Sequence, residues 1–478
     1  MSDRKPLRAT KIVATIGPNA EKPGALARLL RAGVDVFRLN GAHCRPGDIR
    51  RRTALVRKAE AGRPRPIGVL LDLGGPKIRL GRVDEGTATL SAGEAVELTP
   101  RPVKAGRTGG ARRFHVTYAA LLSDIRPGAE VRINDGRVSL KVVASSPSAL
   151  RAKVVVGGPV RTGAGVNFPH SALSAPALTA KDRRDLEEGL EAGVDFVGLS
   201  FVRSAANVDT LRRLLRKAPE RRRPWIVAKI ERAEALADLD AIASAADALM
   251  VARGDLGVEI GLAAVPAAQR RILDAGRRLS KPVIVATQML ESMVESPVPT
   301  RAEVSDVAFA VLGGADAVML SGETAVGRFP VEAVRTMAAI ALEAGARGPD
   351  AAPLPVLRPG DVAGAVSRAA ALAARETQAR AIVVYTESGR TATLASKLGL
   401  SVPIVALTPE RAVARKTALL RDVFSFAIPR ARTIEEMIRA GDRFLRKVAP
   451  LSGATIVEIS GASPSPGATN TVRVRRLG

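Results

Sequence analysis

Apolar residues in this chain gather in short runs, and eight of those runs close on a polar or charged group. They are Lys11-Gly17, Val34-Asn40, Ile67-Asp72, Val194-Phe201, Trp225-Glu231, Ala248-Asp255, Pro282-Gln288 and Ala317-Glu323. Stretches of helical character separate most of them. Unbroken apolar runs alternating with helices mark a parallel sheet buried on both faces. Eight such units predict an α/β chain built on a closed (β/α)8 barrel of the TIM type, whose working groups lie at the carboxyl ends of the strands. The predicted ends carry Arg38, Asn40, Asp72, Lys229, Glu231, Asp255, Thr287 and Ser321. That set suits phosphate and a metal ion.

The spacing of the barrel units breaks once. After Ile67-Asp72 the next barrel-like helix is Ala180-Ala192, and the interval between is rich in Val, Thr, Gly and Pro. Short alternating segments such as Val131-Ile133, Val138-Val143 and Ala152-Val156, with a tight turn at Asn134-Asp135-Gly136, predict a small β domain, here the lid, inserted into one loop of the barrel. Barrel alternation resumes through the helix Val331-Ala344. The proline-rich stretch Gly348-Pro355 reads as a linker, and beyond it helix-strand units running from Val362-Glu376 to Thr471-Val474 predict a separate C-terminal α/β domain. The expected division is 1–81 and 166–347 for the barrel, 82–165 for the lid and 356–478 for the last domain.

Composition narrows the picture. A chain of 478 residues can bury more than one core. The net charge of +26 comes from basic residues that are scattered rather than gathered in a tail, and aromatic residues make up only 3%. With few stacking platforms and no recognition motif, specific nucleic-acid binding is not expected. Cys44 is the only cysteine, which excludes an internal disulfide or a cysteine-metal cluster. No apolar run is long enough to span a bilayer, and Met1-Ser2-Asp3-Arg4-Lys5 lacks the apolar centre of a signal peptide. The chain reads as cytoplasmic, with no membrane partner.

The candidate chemistry sits on four strand ends. Lys229 and Glu231 are two apart, so strand alternation points both to one face. Asp255, in Met250-Gly257, adds a second carboxylate, and its neighbouring glycines let backbone amides approach a ligand. Glu231 and Asp255 together suit Mg²⁺, which takes one or two carboxylates and fills its other positions with water and substrate oxygens. Arg38 is suited to a two-point grip on phosphate, or alternatively to bracing the barrel mouth by a salt bridge. Thr287 places a hydroxyl at a strand end, a position where threonine also serves as a helix cap.

Taken together these segments resemble the pyruvate kinase family. The resemblance is carried by Thr10-Lys11-Ile12 to Ile16-Gly17-Pro18, the Lys229 segment, Val251-Gly257, Ala286-Met293, Pro299-Glu303 and Leu320-Ala325, and it runs in order through to Thr469-Val474. It implies phosphoryl transfer from phosphoenolpyruvate to ADP, giving pyruvate and ATP. Carried over by motif, Lys229 neutralises the moving phosphoryl group and Arg38 clamps it. Glu231 and Asp255 hold Mg²⁺, or Mn²⁺ in its place. The amides near Gly254 and Asp255 receive the substrate carboxylate. Thr287 lies where the enolate is protonated, with Ser321 behind it, while Asn40, His43 and Arg79 match nucleotide-side positions. The family also implies that the lid is a small β-barrel and that the chain assembles as a homotetramer.

Three places depart from the commoner family pattern. Asn40-Gly41-Ala42-His43 and Asp72-Leu73-Gly74-Gly75-Pro76-Lys77 keep Asn40 and Asp72 but put Ala42 and Leu73 where two oxygen ligands for K⁺ are usual. Lys77 stands where K⁺-dependent members have glutamate, so the segment resembles the potassium-independent branch and K⁺ is not expected to be required. Val166-Asn167 lacks the nucleotide-binding lysine of many relatives. In the last domain Thr386, Ser388, Gly389 and Thr391 resemble the family's effector phosphate loop. Glu387 and Gly461-Pro464, however, lack the groups that bind fructose-1,6-bisphosphate in activated animal forms. Two rival readings are a Mg²⁺-dependent carbon-carbon lyase on a similar barrel and a silent basic scaffold descended from the enzyme.

Overall fold

A computed structural model of the chain describes residues 7–103, 106–108, 111–346, 355–357, 359–400, 402–448, 451–461 and 467–478. Each of the eight apolar runs contains a strand. In chain order these are Lys11–Ile16, Val36–Asn40, Gly68–Asp72, Phe196–Leu199, Trp225–Ile230, Ala248–Ala252, Val283–Ala286 and Ala317–Leu320. Each pairs in parallel with its neighbours in sequence order, and the last returns to the first to close the barrel. The barrel interior is a plug of side chains: Val13, Val36, Leu70, Phe196, Val227, Met250, Ile284 and Met319. The other face of the same strands packs on the surrounding helices through Ile12, Phe37, Leu71, Ala228, Val251 and Val285. Burial on both faces is why the runs lack polar interruptions.

Six of the eight runs extend beyond the carboxyl ends of their strands, and in three of them the backbone changes course at a candidate residue. The expected strand ends at Asp255, Gln288 and Glu323 give way to strands that stop at Ala252, Ala286 and Leu320. Asp255 lies instead in the first turn of the helix Arg253–Ile260. Thr287 and Gln288 turn left-handed, at φ 68° and 52°, which no extended strand accommodates. Ser321 caps the short helix Gly322–Ala325. Apolar content carried these runs past the point where the backbone changes course.

Between the third and fourth barrel strands the chain builds a β unit. A seven-stranded sheet and a two-stranded ribbon, Thr87–Leu90 with Gly158–Arg161, share one core that includes Leu90, Leu98, Val131, Leu140, Leu150, Val160 and Phe168. Strands Glu130–Ile133 and Val138–Ser145 meet through Asn134, Asp135 and Gly136, all at positive φ. The helix Ala180–Ala192 that returns to the barrel opens on a capping box made by Thr179 and Asp182.

The last domain has a five-stranded sheet in which Thr469–Arg476 runs antiparallel at one edge. Of the proposed linker Gly348-Pro355, all but Pro355 lies outside the described residues. The domain docks against the underside of the barrel. Lys397 pairs with Asp316, both buried. Arg421 donates to Thr10 Oγ1 at 2.8 Å and to the Val311 carbonyl at 3.1 Å, and Arg415 pairs with Glu60 at 2.7 Å. Among the described residues no helix is long and apolar enough to cross a membrane.

Candidate active site

Alternation along the strands decides which side chains reach the barrel mouth. Val36, Leu70 and Val227 point into the barrel. Two residues on, Arg38, Asp72 and Lys229 continue the same face, and Asn40 and Glu231 follow at the next step. Asn40 and Asp72 are register partners on adjacent strands.

These groups form one connected polar belt. Lys229 Nζ stands 2.9 Å from Glu231 Oε1 and 3.2 Å from Asp72 Oδ1. It also donates to Ser200 Oγ at 2.6 Å, and Ser200 donates in turn to the Leu73 carbonyl at 2.7 Å. On the other side of Asp72, Arg38 Nε donates to Oδ2 at 2.8 Å and Arg38 Nη1 donates to Thr15 Oγ1 at 3.2 Å. Among the described residues no hydrogen bond is made by Arg38 Nη2, so the guanidinium both braces the mouth and keeps one donor for a ligand. Gly198 makes room for the belt: a Cβ there would stand 2.9 Å from Asp72 Oδ1.

The belt is buried and close to neutral, with two cations against two carboxylates. Burial works against the charge on Lys229, but Asp72 and Glu231 outweigh it and raise its pKa. Burial also opposes ionisation of Asp72, yet Lys229 and Arg38 hold it below the usual carboxylate range. Glu231 is different. Burial, with the nearby negative charge of Asp255, pushes its pKa up despite Lys229 and the Phe201 N–H, which donates to Oε2 at 2.6 Å. Glu231 of the belt and Asp255 beside it, two carboxylates that repel each other, fit a divalent oxygen-seeking cation, which would relieve the repulsion. Among the described residues no cluster of three His, Cys, Asp or Glu groups competes for a metal.

Thr287 is set by its neighbours rather than by its strand. Its Oγ1 accepts from the Gly254 N–H at 2.8 Å and donates to the Ala286 carbonyl at 2.6 Å. The Gly254 amide, expected from sequence to face a ligand, is therefore directed at Thr287. A β-branched residue at φ 68° is strained by about 1–3 kcal/mol. Arg253 holds the turn from below, donating to the carbonyls of Thr287 at 2.6 Å and Gln288 at 3.0 Å.

Other candidates ring the mouth. Lys77 Nζ lies 3.7 Å from Asp255 Oδ1, so among the described residues it pairs with Asp255 rather than with Asp72. Arg79 Nη1 donates to the Gly163 carbonyl at 2.9 Å, at the root of the lid. The pKa of His43 is lowered by partial burial and then by the positive charges of Arg79, Arg38, Lys77 and Lys181. That cluster makes the rim an anion-attracting surface. The Ser321 N–H donates to Glu323 Oε2 at 2.7 Å while the Leu290 N–H donates to Oε1 at 3.1 Å, so buried Glu323 ties the last two strand ends together. Thr386, Ser388 and Thr391 line a separate cavity of about 300 Å³ in the C-terminal domain. There Thr386 Oγ1 accepts from the Gly389 N–H, and Glu387 is paired with Arg430. Of the groups Gly461-Pro464, the last three lie outside the described residues.

Sequence reasoning passed over Ser200, Arg253 and Glu323 as working groups. Ser200 sits inside a run read as apolar. Arg253 and Glu323 each reach a backbone atom more than thirty residues away, at Thr287 and Leu290, which leaves no periodic trace.

The family model described as pyruvate kinase, barrel domain, matches residues 7–334, and that described as pyruvate kinase, alpha/beta domain, matches residues 364–475. A pyruvate kinase of Corynebacterium glutamicum is 42% identical over 475 residues, covering 98% of each chain. One of Mycobacterium tuberculosis is 41% identical over 473 residues, covering 98% of this chain and 99% of its own. The crystal structure of a pyruvate kinase from Cryptosporidium parvum superposes with a TM-score of 0.90 at 32% identity, covering 98% of this chain and 96% of its own. With both domains matched and relatives aligned end to end, the chain belongs to the pyruvate kinase family.

Proposed function

We propose that the protein transfers the phosphoryl group of phosphoenolpyruvate to ADP, giving pyruvate and ATP, with Mg²⁺ and without a requirement for K⁺. The observation that carries this reading is Lys229, charged and buried between Asp72 and Glu231 at the mouth of the barrel, with Arg38 beside it. Phosphoryl transfer needs little covalent help from protein; it needs fixed positive charge and good alignment. A lysine held by two carboxylates and a serine has both.

In this reading Arg38 Nη2 and Lys229 Nζ face the phosphoryl oxygens. The P–O bond to the enol oxygen breaks with its electron pair left on that oxygen, and a β-phosphate oxygen of ADP forms the new bond. The enolate carbon then takes a proton on the side of Thr287, with Ser321 behind, and becomes the methyl group of pyruvate. Glu231 and Asp255 would hold Mg²⁺, or Mn²⁺, which when bound supplies charge neutralisation between substrate oxygens. Capture of the substrate carboxylate at the start of helix Arg253–Ile260 asks the Gly254 N–H to be shared between the ligand and Thr287. The rim set Asn40, His43 and Arg79 would face the nucleotide.

Lys77 supports K⁺ independence, because its ammonium stands at the same rim while Ala42 and Leu73 offer no side-chain oxygen as ligand. The loop Thr386-Thr391 is proposed to take a phosphorylated effector other than fructose-1,6-bisphosphate, since Glu387 places a carboxylate at the cavity. Assembly as a homotetramer belongs to the same proposal. Exposed Val304 and Phe309 on one barrel helix and Val474 on the edge strand are apolar surface that subunit contacts would cover.

The test is pyruvate formation from phosphoenolpyruvate in potassium-free buffer with Mg²⁺, with and without ADP. ADP-dependent turnover supports the proposal. Pyruvate formed without ADP would mean hydrolysis of the phosphate ester instead of transfer, and no turnover in any buffer would favour the lyase or the silent scaffold.

A further inference from the structure

We propose that Arg253 is a positioning residue for the proton step, acting through Thr287. This rests on the reading that Thr287 lies on the protonation side of the enolate. Thr287 and Gln288 are consecutive non-glycine residues in the left-handed region, at φ 68° and 52°. Successive left-handed non-glycine residues are strained and persist where their surroundings over-determine them, here through a cation beneath the turn.

Arg253 is that cation. Nη2 donates to the Thr287 carbonyl at 2.6 Å and to the Gln288 carbonyl at 3.0 Å, and lies 2.8 Å from Met289 Sδ. Nε reaches the Thr287 carbonyl at 3.2 Å and the Ala286 carbonyl at 3.4 Å. Nη1 pairs with Asp306 at 2.5 Å, which fixes the far end of the guanidinium. A lysine ammonium has no planar fork to serve three carbonyls and a carboxylate at once.

The next residue completes the hold. The Gly254 N–H donates to Thr287 Oγ1, so residues 253 and 254 fix the carbonyl and the hydroxyl of the same threonine. The sixth strand end thereby sets the seventh. The guanidinium is 6% exposed and faces the underside of the turn, so it acts on the hydroxyl through the backbone and touches no reacting atom.

The test uses the full-length protein with Mg²⁺ and ATP, following exchange of the pyruvate methyl protons with D₂O by NMR. That exchange is the reverse of enolate protonation and is read alongside kcat and KM. Arg253→Met is expected to slow exchange and kcat by about 10²-fold, as a displaced catalytic group does, with KM for phosphoenolpyruvate little changed. Arg253→Lys should fail to restore it. Thr287→Ala should lose exchange to a similar degree, and the double variant should be no slower than Thr287→Ala alone, because both act on one group.

If Thr287→Ala loses exchange while folded Arg253→Met keeps it, the inference is overturned and the reading of Thr287 stands. If Thr287→Ala keeps exchange, that reading fails and takes the inference with it. Should Arg253→Met not fold, Asp306→Asn releases one end of the guanidinium from a half-exposed site. Loss of exchange without loss of substrate affinity supports the proposal there, and unchanged exchange overturns it.

Discussion

Lys77 Nζ faces Asp255 Oδ1 at 3.7 Å across the barrel mouth, so a fixed ammonium stands beside a carboxylate proposed to hold the metal. Both side chains are partly exposed, at 35% and 26%, and a pair of that kind adds well under about 1 kcal/mol to stability. Its value lies in charge placement. Lys77→Met is expected to leave thermal stability nearly unchanged and to lower kcat by roughly 10-fold or more, as loss of one fixed charge near a transferring phosphoryl group does. Added K⁺ should not rescue the variant, because Ala42 and Leu73 supply no side-chain oxygen ligands. Initial rates in potassium-free and potassium-rich buffers check this; full rescue by K⁺ would mean that a cation site survives.

Lys229 has two roles that its replacement separates. Lys229→Met should lower phosphoryl transfer by about 10³-fold or more, since a buried charge at the moving group is lost. It also leaves Glu231 without its cation, while Asp72 keeps Arg38. Breaking a buried pair in this way destabilises by about 3–5 kcal/mol, moderated here by the Phe201 N–H on Glu231. Mg²⁺ should therefore raise the melting temperature of the variant more than that of the parent protein. A variant turning over at near-parental rate would remove Lys229 from its assigned role.

The root of the lid carries a pH-sensitive carboxyl. Buried Glu259 pairs with Arg232 at 3.0 Å, and Arg232 also donates to the Ser171 carbonyl at 3.0 Å, where the lid rejoins the barrel. Burial pushes the Glu259 pKa up to about 7, against the pull of Arg232. The folded protein thus holds a proton that the unfolded chain releases near 4.5. Stability from this group is fully present below that value and is lost as pH rises through about 7. Glu259→Gln should flatten the dependence between those limits, measured as melting temperature against pH. An unchanged slope would place the titration elsewhere.

How much of this was legible in the sequence follows from burial. Strands covered on both faces read as unbroken apolar runs, so all eight were visible; their ends gave Arg38 and Asp72, and two-residue alternation placed Lys229 and Glu231 on one face. The same rule failed where the backbone leaves the strand. Asp255 sits on a helix because the strand ends at Ala252, and Thr287 is aimed by a left-handed turn that composition does not announce. Ser200 and Arg253 were hidden for a related reason: their partners are carbonyls and side chains brought close only by barrel closure. Lys77 was singled out for its charge, but its pairing with Asp255 depends on how the lid root crosses the mouth.

Beneath the barrel, Lys11 makes a prediction of opposite sign. It is fully buried where the first strand meets the C-terminal domain, its Nζ has no hydrogen-bond partner among the described residues, and it lies 4.3 Å from the centre of the Phe424 ring. Burial lowers its pKa to about 7, with Asp35 pulling the other way and Arg65 and Arg8 adding to the depression. The unfolded chain keeps this proton up to about 10.5, so between the two values the unfolded state binds more protons and stability rises with pH. The penalty for burying the ammonium is therefore largest at and below about pH 7. Methionine has nearly the same length and no charge to desolvate. Asp35 would not be orphaned, because Arg8 at 2.7 Å and Arg65 at 3.1 Å remain with it. Lys11→Met should thus stabilise by roughly 1–4 kcal/mol near pH 6, as apolar replacements of buried charges do. The gain should shrink toward pH 10, with turnover unaffected. Thermal unfolding of both proteins across that range decides it: a loss of stability at pH 6 would mean that the ammonium over Phe424 holds the two domains together rather than straining their contact.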